Sequence, residues 1–298
     1  MEYLHAKKSG FNFRPVYLML PCVVFLLFLI IYPFGYNIVM SLYDISFLTG
    51  RTSWTGLGNY LELFQDPYFH NSVRVTIILV LSALVVETLL GLASALFLSG
   101  KFKGRGLARM LLIIPLGTIP VINGYLFKLI FFPGASVATH ILMQLGLVSE
   151  EVHWLTDPVL ANITVVAADA WQWTPFMMLI MLAGLQAIPQ QPYELAALDG
   201  LSPLRVFFKI TLPQMKQALA IAILIRTMDL LRLFDAVFAL TGGGPQSATE
   251  TVAYYIYRTG FQTFRIGYAS ATSLVVWATI FVIAFVAVKK IFKEPERA

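Results

Sequence analysis

The stretch from Glu194 to Pro213 reads ELAALDGLSPLRVFFKITLP and lies between two long apolar segments. Its pattern predicts a short helix, a glycine turn and a second short helix, with charged residues on one side and apolar residues on the other. The stretch is too polar to cross a bilayer and too regular in pattern for a linker. We therefore expect it to lie at a membrane surface and to face a partner protein.

The composition of the rest of the chain is that of a membrane protein. Apolar residues make up 58% of the 298 residues and charged residues only 12%, whereas soluble domains carry about 25% charged residues. A helix needs roughly 20 apolar residues to cross the hydrocarbon layer. Six segments meet this requirement, and the first is too long for a cleaved signal sequence, which predicts a retained anchor. The predicted spans are about 16–42, 75–98, 109–132, 159–187, 216–240 and 268–288.

Basic residues outside these spans concentrate in alternate loops, which predicts the orientation of the chain. By the positive-inside rule, both termini and the loop 189–215 are expected in the cytoplasm. We interpret the clusters as topology signals and not as a nucleic-acid site, although the net charge is +5. The residues of the predicted cytoplasmic side are Lys7, Lys8, Arg14, Lys101, Lys103, Arg105, Arg109, Arg205, Lys209, Lys216, Lys289, Lys290, Lys293 and Arg297.

The sequence contains none of the motifs that would suggest an enzyme or a cofactor site. No G-x-x-x-x-G-K-[ST] pattern is present for binding nucleotide phosphates, and the four histidines are scattered without metal-ligand spacing. The single cysteine, Cys22, lies in the first predicted span and has no partner for a disulfide. We expect no catalytic residues, no metal and no cofactor in this chain.

The quoted stretch resembles the EAA loop of permease subunits in ATP-binding-cassette importers. That pattern is roughly E-A-A-x-x-D-G-A, then five residues, then F-x-x-I-x-L-P. Leu195 and Leu201 replace the usual alanines, and Gln217 stands where a further proline is common. The residues that match in register are Glu194, Ala196, Asp199, Gly200, Phe207, Ile210, Leu212 and Pro213.

Other segments are similar to maltose-type permeases for sugars and polyols. They include TGGGP at 241–245, Thr249-Glu250-Thr251, and Trp171 with Pro175 ahead of GLQAIP at 184–189. The resemblance covers residues 70–290 well and implies an all-α polytopic membrane protein with six transmembrane helices and the type I importer permease fold. It also implies a single permease domain over 1–298 with a coupling loop at 189–215.

The resemblance further implies a set of partners in the bacterial cytoplasmic membrane. They are a second homologous permease, two ATPase subunits that bind ATP and Mg, an external or periplasmic sugar-binding protein, and the surrounding lipid. The coupling loop would dock in a groove of an ATPase subunit, with Leu195 and Leu198 as apolar anchors. Its further contact residues are Glu194, Ala196, Asp199, Gly200 and Phe207. Gly200 suggests a backbone angle or a close approach that a side chain would hinder.

Ionisable residues inside the predicted spans suggest a polar cavity, since such groups are costly in lipid. Glu87 lies in the second span and is interpreted as an interhelical hydrogen bond. In the fifth span Arg226, Asp229, Arg232 and Asp235 follow one another at three-residue spacing. They could pair along one helix as a purely structural ladder, or Arg226 and Asp229 could bind sugar hydroxyls.

The fourth span supplies the other half of the predicted substrate site. Asp169 and Trp173 are four residues apart and share a helix face, and an indole can stack on the apolar face of a sugar ring. Core packing of Trp173 is the alternative. In maltose-type permeases this face and the adjoining face of the fifth span line the sugar site. The predicted substrate-binding residues are Asp169, Trp173, Phe176, Arg226 and Asp229.

The predicted function is import of a sugar, glycoside or polyol by an ATP-driven complex. One alternative is an ion-coupled secondary transporter of a small polar solute that uses Glu87, Asp169 or Asp229, although such carriers usually show inverted repeats. A polytopic membrane enzyme is a second alternative. The charge of the cargo stays open, because an anionic cargo could use Arg226 as its counter-ion.

Overall fold

Long apolar helices dominate the computed structural model, which describes residues 14–46 and 50–291. Lys7, Lys8, Lys293 and Arg297 of the basic pattern lie outside these residues. Strands β1 (Tyr43–Ser46) and β2 (Arg51–Trp54) pair as an antiparallel hairpin after the first helix. The helices are α1 (Arg14–Ser41), α2 (Gly58–Gln65), α3 (Pro67–Ser99), α4 (Arg105–Ile113), α5 (Pro120–Ile130), α6 (Val137–Gln144), α7 (Pro158–Gln186), α8 (Gln191–Leu198), α9 (Pro203–Val206), α10 (Leu212–Leu230), α11 (Asp235–Leu240), α12 (Val252–Tyr257) and α13 (Ile266–Ile291).

Within residues 14–46 and 50–291, five stretches of helix are long and apolar enough to cross a membrane. The third predicted span is different. In place of one helix over 109–132, the chain forms a bent pair, Arg105–Gly117 and Pro120–Ile130, whose axes differ by 99°. Pro115 and Pro120 flank the bend, and proline lacks the N–H that a continuous helix needs. The predicted count of six spans holds when this pair is taken as one span.

The fifth predicted span is also interrupted. Helix α10 ends at Leu230, and α11 begins only at Asp235. The hydroxyl of Thr251 donates a hydrogen bond of 2.7 Å to the carbonyl oxygen of Leu233, inside the break. This contact satisfies a backbone group that the break has released, which is a condition for irregular backbone at membrane depth. The predicted ladder of four charges along one helix is therefore wrong, because Asp235 belongs to another helix.

Helices α3 and α7 form the centre of the fold, where they lie parallel and close together. A Cβ atom at Gly91 of α3 would lie only 2.7 Å from the Cβ atom of Met177 of α7, so the glycine permits this approach. Buried residues on both helices pack with Met215 of α10 near the α8 end of the bundle. Helix α1 packs against α13 at the periphery, and Asn37 donates to Ser273 at 2.9 Å between them.

At the other end of the bundle, Asp66 ties three helices together. It caps α3 by accepting from the Tyr68 backbone N–H at 2.8 Å, and it also accepts hydrogen bonds from the hydroxyls of Tyr255 and Tyr268. Burial alone would raise the pKa of Asp66, but these hydrogen bonds outweigh it and hold the pKa below its usual value. Burial and the bond to Asp66 raise the pKa of Tyr255 to about 12.

Candidate substrate site and coupling surface

Arg226 of α10 lies at the centre of a buried group of charges. Only 1% of the residue is exposed. Its Nε donates to Glu87 Oε2 at 2.6 Å and its Nη2 to Glu87 Oε1 at 3.0 Å, so the two side chains form a bidentate pair. The guanidinium group also donates to Asp169 and Asp229. We call these four residues the Arg226 cluster.

The cluster joins three helices, since Glu87 comes from α3, Asp169 from α7, and Arg226 and Asp229 from α10. A buried charge is costly unless it is paired and hydrogen-bonded, and this network provides the pairing. The predicted interhelical hydrogen bond of Glu87 is confirmed, and its partner is Arg226. In the sequence, the feature that pointed to Glu87 was a single acidic residue in the middle of an apolar span.

The members of the cluster differ in their access to solvent. The Glu87 side chain is 0% exposed, whereas the Asp229 side chain is 40% exposed. Asp229 also lies 3.6 Å from the guanidinium of Arg232. Of the predicted ladder, the structure therefore retains the pairs Arg226–Asp229 and Asp229–Arg232. The cluster therefore has a sealed side at Glu87 and an open side at Asp229.

A small pocket opens on this side of the cluster. Its volume is about 70 Å³, far below the roughly 300–1,000 Å³ of typical ligand pockets, so this conformation is closed to a sugar. The pocket is lined by Pro120, Asp169, Gln172, Trp173, Arg226, Asp229, Arg232, Leu233, Phe234, Asp235 and Ala236. The bend before α5 and the break after α10 thus both contribute residues to its wall.

Trp173 provides the aromatic wall of the pocket. The guanidinium carbon of Arg226 lies 4.8 Å from the centroid of its ring, in the geometry of a cation–π contact. Phe176 meets the same indole edge-on, with centroids 6.2 Å apart, and packs against the hydrophobic core around Met177. The structure thus brings four predicted substrate residues together at the pocket, while Phe176 supports Trp173 from the core side.

The loop 189–215 has the predicted helix–turn–helix form. Helix α8 is followed by Gly200, which has a positive φ of 64°, and then by α9. The Leu201 N–H donates to the carbonyl oxygen of Ala196 at 3.0 Å, as in a glycine-terminated helix. A Cβ atom at Gly200 would meet nothing within 4 Å, so the backbone angle and not a close approach within this chain explains the glycine.

Helix α8 presents large apolar side chains to solvent. Leu198 is 84% exposed and Leu195 is 55% exposed, and both predicted polar contacts, Glu194 and Asp199, are exposed beside them. Ala196 is instead buried, and Phe207 is half-buried against Phe208. An exposed apolar group of this kind on an otherwise polar loop is typical of a protein–protein contact.

Residues 87–292 match the family described as binding-protein-dependent transport system inner membrane component. The chain belongs to this family. It is 37% identical to the trehalose/maltose transport system permease protein MalF of Thermococcus litoralis, over 90% of each chain. It is 33% identical to the trehalose transport system permease protein SugA of Mycobacterium tuberculosis, over 91% of this chain and 86% of the relative.

The fold of this transport component is similar to that of a solved bacterial ABC transporter involved in the import of the acidic polysaccharide alginate. The TM-score is 0.81, with 22% identity over 95% of this chain and 97% of that chain. The match confirms the predicted importer permease fold. Family membership confirms that the chain is a multi-pass transport component and not an enzyme, and it does not support the ion-coupled alternative.

Proposed function

We propose that this chain is the membrane-spanning subunit of an ATP-driven importer that moves a sugar, glycoside or polyol delivered by an external binding protein. The observation that carries this proposal is the pocket at the Arg226 cluster. It places carboxylates, guanidinium groups and one indole together inside the spans of a chain whose relatives are named for trehalose and maltose transport.

The chemistry of this pocket suits a carbohydrate. Sugar hydroxyls need hydrogen-bond partners, which Asp169 and the partly exposed Asp229 offer, whereas the ring face needs an apolar surface such as Trp173. Because the pocket is too small for a sugar in this conformation, the helices around it must separate during transport. The pocket is then the closed state of a site that alternates between the two sides of the membrane.

The exposed face of α8 fits the coupling role of loop 189–215 within a single permease domain. Leu195 and Leu198 would dock in a groove of an ATPase subunit, so that closure of the ATPase dimer on ATP and Mg moves α8 and, through it, α7 and α10. The complex would contain a second homologous permease and two such ATPase subunits. This chain itself would hold no nucleotide.

The proposed orientation places α8 and both termini in the cytoplasm. It rests on the basic residues at 101–109 and 205–216, on the same end of the bundle as α8. Reporter fusions at Ser99 and Gln190 should score cytoplasmic, and a fusion at Gly146 should score external. An external score at Gln190 would contradict both the orientation and the coupling role.

The function is tested by transport in vesicles that contain the complete complex and its binding protein. Uptake of radiolabelled trehalose or maltose should require ATP on the α8 side and should persist when ionophores collapse proton and sodium gradients. Uptake that continues without ATP but stops with an ionophore would instead show an ion-coupled carrier. Absence of ATP-driven uptake for neutral disaccharides, glycosides and polyols alike would refute the proposed cargo class.

A further inference from the structure

The charges around the pocket do not balance. The acids that line the pocket are Asp169, Asp229 and Asp235, and the bases are Arg226 and Arg232. Three carboxylates therefore face two guanidinium groups, a formal excess of one negative charge. In a medium of low dielectric constant such an excess acts strongly on any charged group that enters.

Four of the five N–H donors of Arg226 are already engaged within this chain. A guanidinium group has five N–H donors. In Arg226 the Nε and Nη2 groups are engaged by Glu87 and Asp169, and Nη1 donates to Asp229. One face of the same group is covered by Trp173 at 4.8 Å. An anion that approached Arg226 would meet a guanidinium group already surrounded by three carboxylates, with one remaining N–H on Nη1.

Two acids and one base lie on the open side of the pocket. Asp229 is the partly exposed member of the cluster, and Asp235 contributes to the pocket wall from α11. Arg232 is the other cation, but its side chain is 69% exposed and only 3.6 Å from Asp229, so it already offsets one of the carboxylates. Two carboxylates and one guanidinium group thus leave the open side of the pocket with a formal charge of −1.

We propose that the pocket selects against anionic cargo and passes an uncharged carbohydrate, with Asp229 as the residue that sets this selectivity. This inference rests on the proposed function and specifies its cargo. The fold does not decide the question, because the solved transporter of the same fold is described as importing an acidic polysaccharide. The local charges decide it, since the acids that line the pocket outnumber its two guanidinium groups, so an anion in this pocket would meet a net negative charge.

The test measures the sign of the potential in the pocket with thiol reagents of different charge. Cys22 is the only cysteine, so Cys22→Ser gives a thiol-free background, and Leu233→Cys places a reporter in the pocket wall. Cationic, anionic and neutral methanethiosulfonates of similar size are applied during ATP-driven turnover of the complete complex. Rates are normalised to those of a free small thiol. The cationic reagent should react about tenfold or more faster than the anionic one.

Matched variants then assign the effect to individual residues. Asp229→Asn should reduce the ratio of cationic to anionic rates several-fold, and Arg232→Gln should raise it. A thiol at the exposed position Leu147, introduced as Leu147→Cys, should show no change with either variant. If Leu233→Cys fails to assemble, Ala236→Cys offers a second reporter in the same wall.

The outcomes separate this inference from the proposed function. Equal rates for both charges, or faster reaction of the anionic reagent, would overturn the charge selectivity while sugar uptake continued. Protection of the introduced thiol from all three reagents during active uptake would place the pocket off the transport pathway and overturn the proposed site. Failure of the unmodified complex to take up neutral sugars would contradict the proposed function, and not the measured charge selectivity of the pocket.

Discussion

The Arg226 cluster and helix α8 both place side chains where their chemistry is unfavourable, but in opposite ways. The cluster holds charged groups inside an apolar bundle, and each of its members is paired within this chain. Helix α8 holds leucines on the surface, and Leu195 and Leu198 remain largely exposed. Burying a charge without a partner costs far more than exposing a leucine.

This difference separates what the chain does alone from what it does in a complex. The cluster is complete within one chain, so its removal should damage the fold first. The leucines of α8 contribute little to the fold, so their loss should leave the chain intact and weaken only a contact with another protein. Stability measurements and partner-binding measurements can therefore distinguish the two regions.

Replacement of Arg226 should have the largest effect. Arg226→Gln leaves Glu87 and Asp169 buried without their cation, and breaking a buried pair costs about 3–5 kcal/mol. We expect a strongly lowered melting temperature in detergent and little assembled complex. Arg232→Gln is the control for stability, because its pair with Asp229 is long and exposed. An unchanged melting temperature for Arg226→Gln would show that the cluster is not a structural element.

Replacement of Gly200 should abolish transport without unfolding the chain. A positive φ costs a residue with a side chain about 1–2 kcal/mol, and a β-branched residue is the least tolerant. Gly200→Val should therefore reorient α8, prevent copurification of the ATPase subunits and stop ATP-driven uptake, while the melting temperature changes little. Gly200→Asn is the matched control, since asparagine tolerates this conformation. A fully coupled ATPase in the Gly200→Val complex would refute the coupling role.

Within the cluster, Asp229 and Glu87 should separate transport from stability. Asp229 is the partly exposed partner of Arg226 and faces the pocket, so its loss should affect contact with the cargo more than packing. We expect Asp229→Asn to reduce uptake tenfold or more with the complex still assembled. Glu87→Gln, on the sealed side, should instead lower the melting temperature. Normal uptake by the Asp229→Asn complex would mean that the cluster is only structural.

The smallest effect is expected for a single leucine of α8. Leu198→Ser should remove one apolar contact of the proposed ATPase interface. Full burial of a leucine is worth about 1.5–3 kcal/mol, so burial of about half of the side chain would correspond to a roughly 3- to 13-fold loss of affinity. Titration of the ATPase against the permease would measure this loss. Leu147→Ser, at a leucine of the opposite end that is 68% exposed, should leave ATPase affinity unchanged. Equal effects of both variants would show that α8 is not the docking surface.

Much of the fold could be predicted from local patterns. A helix in lipid must satisfy its backbone groups internally, so apolar runs of about 20 residues indicate spans, and the turn at Gly200 follows from the residue types around it. The two interruptions of the predicted spans were harder to predict from the sequence. Pro115 and Pro120 were visible as kink signals, yet their pattern did not indicate a bend of 99°.

The break between Leu230 and Asp235 had no comparable signal. No proline or glycine lies between these two residues, and the break is stabilised from a distant segment, where Thr251 donates to the carbonyl of Leu233. Periodicity along one segment cannot report a contact of this kind. The ladder expected from three-residue spacing was wrong for this reason.

By itself the sequence determined that this chain crosses a membrane several times, that a helix–turn–helix loop lies at 189–215 and that charges lie within its spans. Only the tertiary structure decided which of those charges meet. Glu87 is 139 positions from Arg226 and Asp169 is 57 positions from it, and they become partners because α3 and α7 pack closely at Gly91 and present both acids to α10. Helix formation is local and can be read from the chain, whereas the pairing of buried charges depends on packing between distant helices.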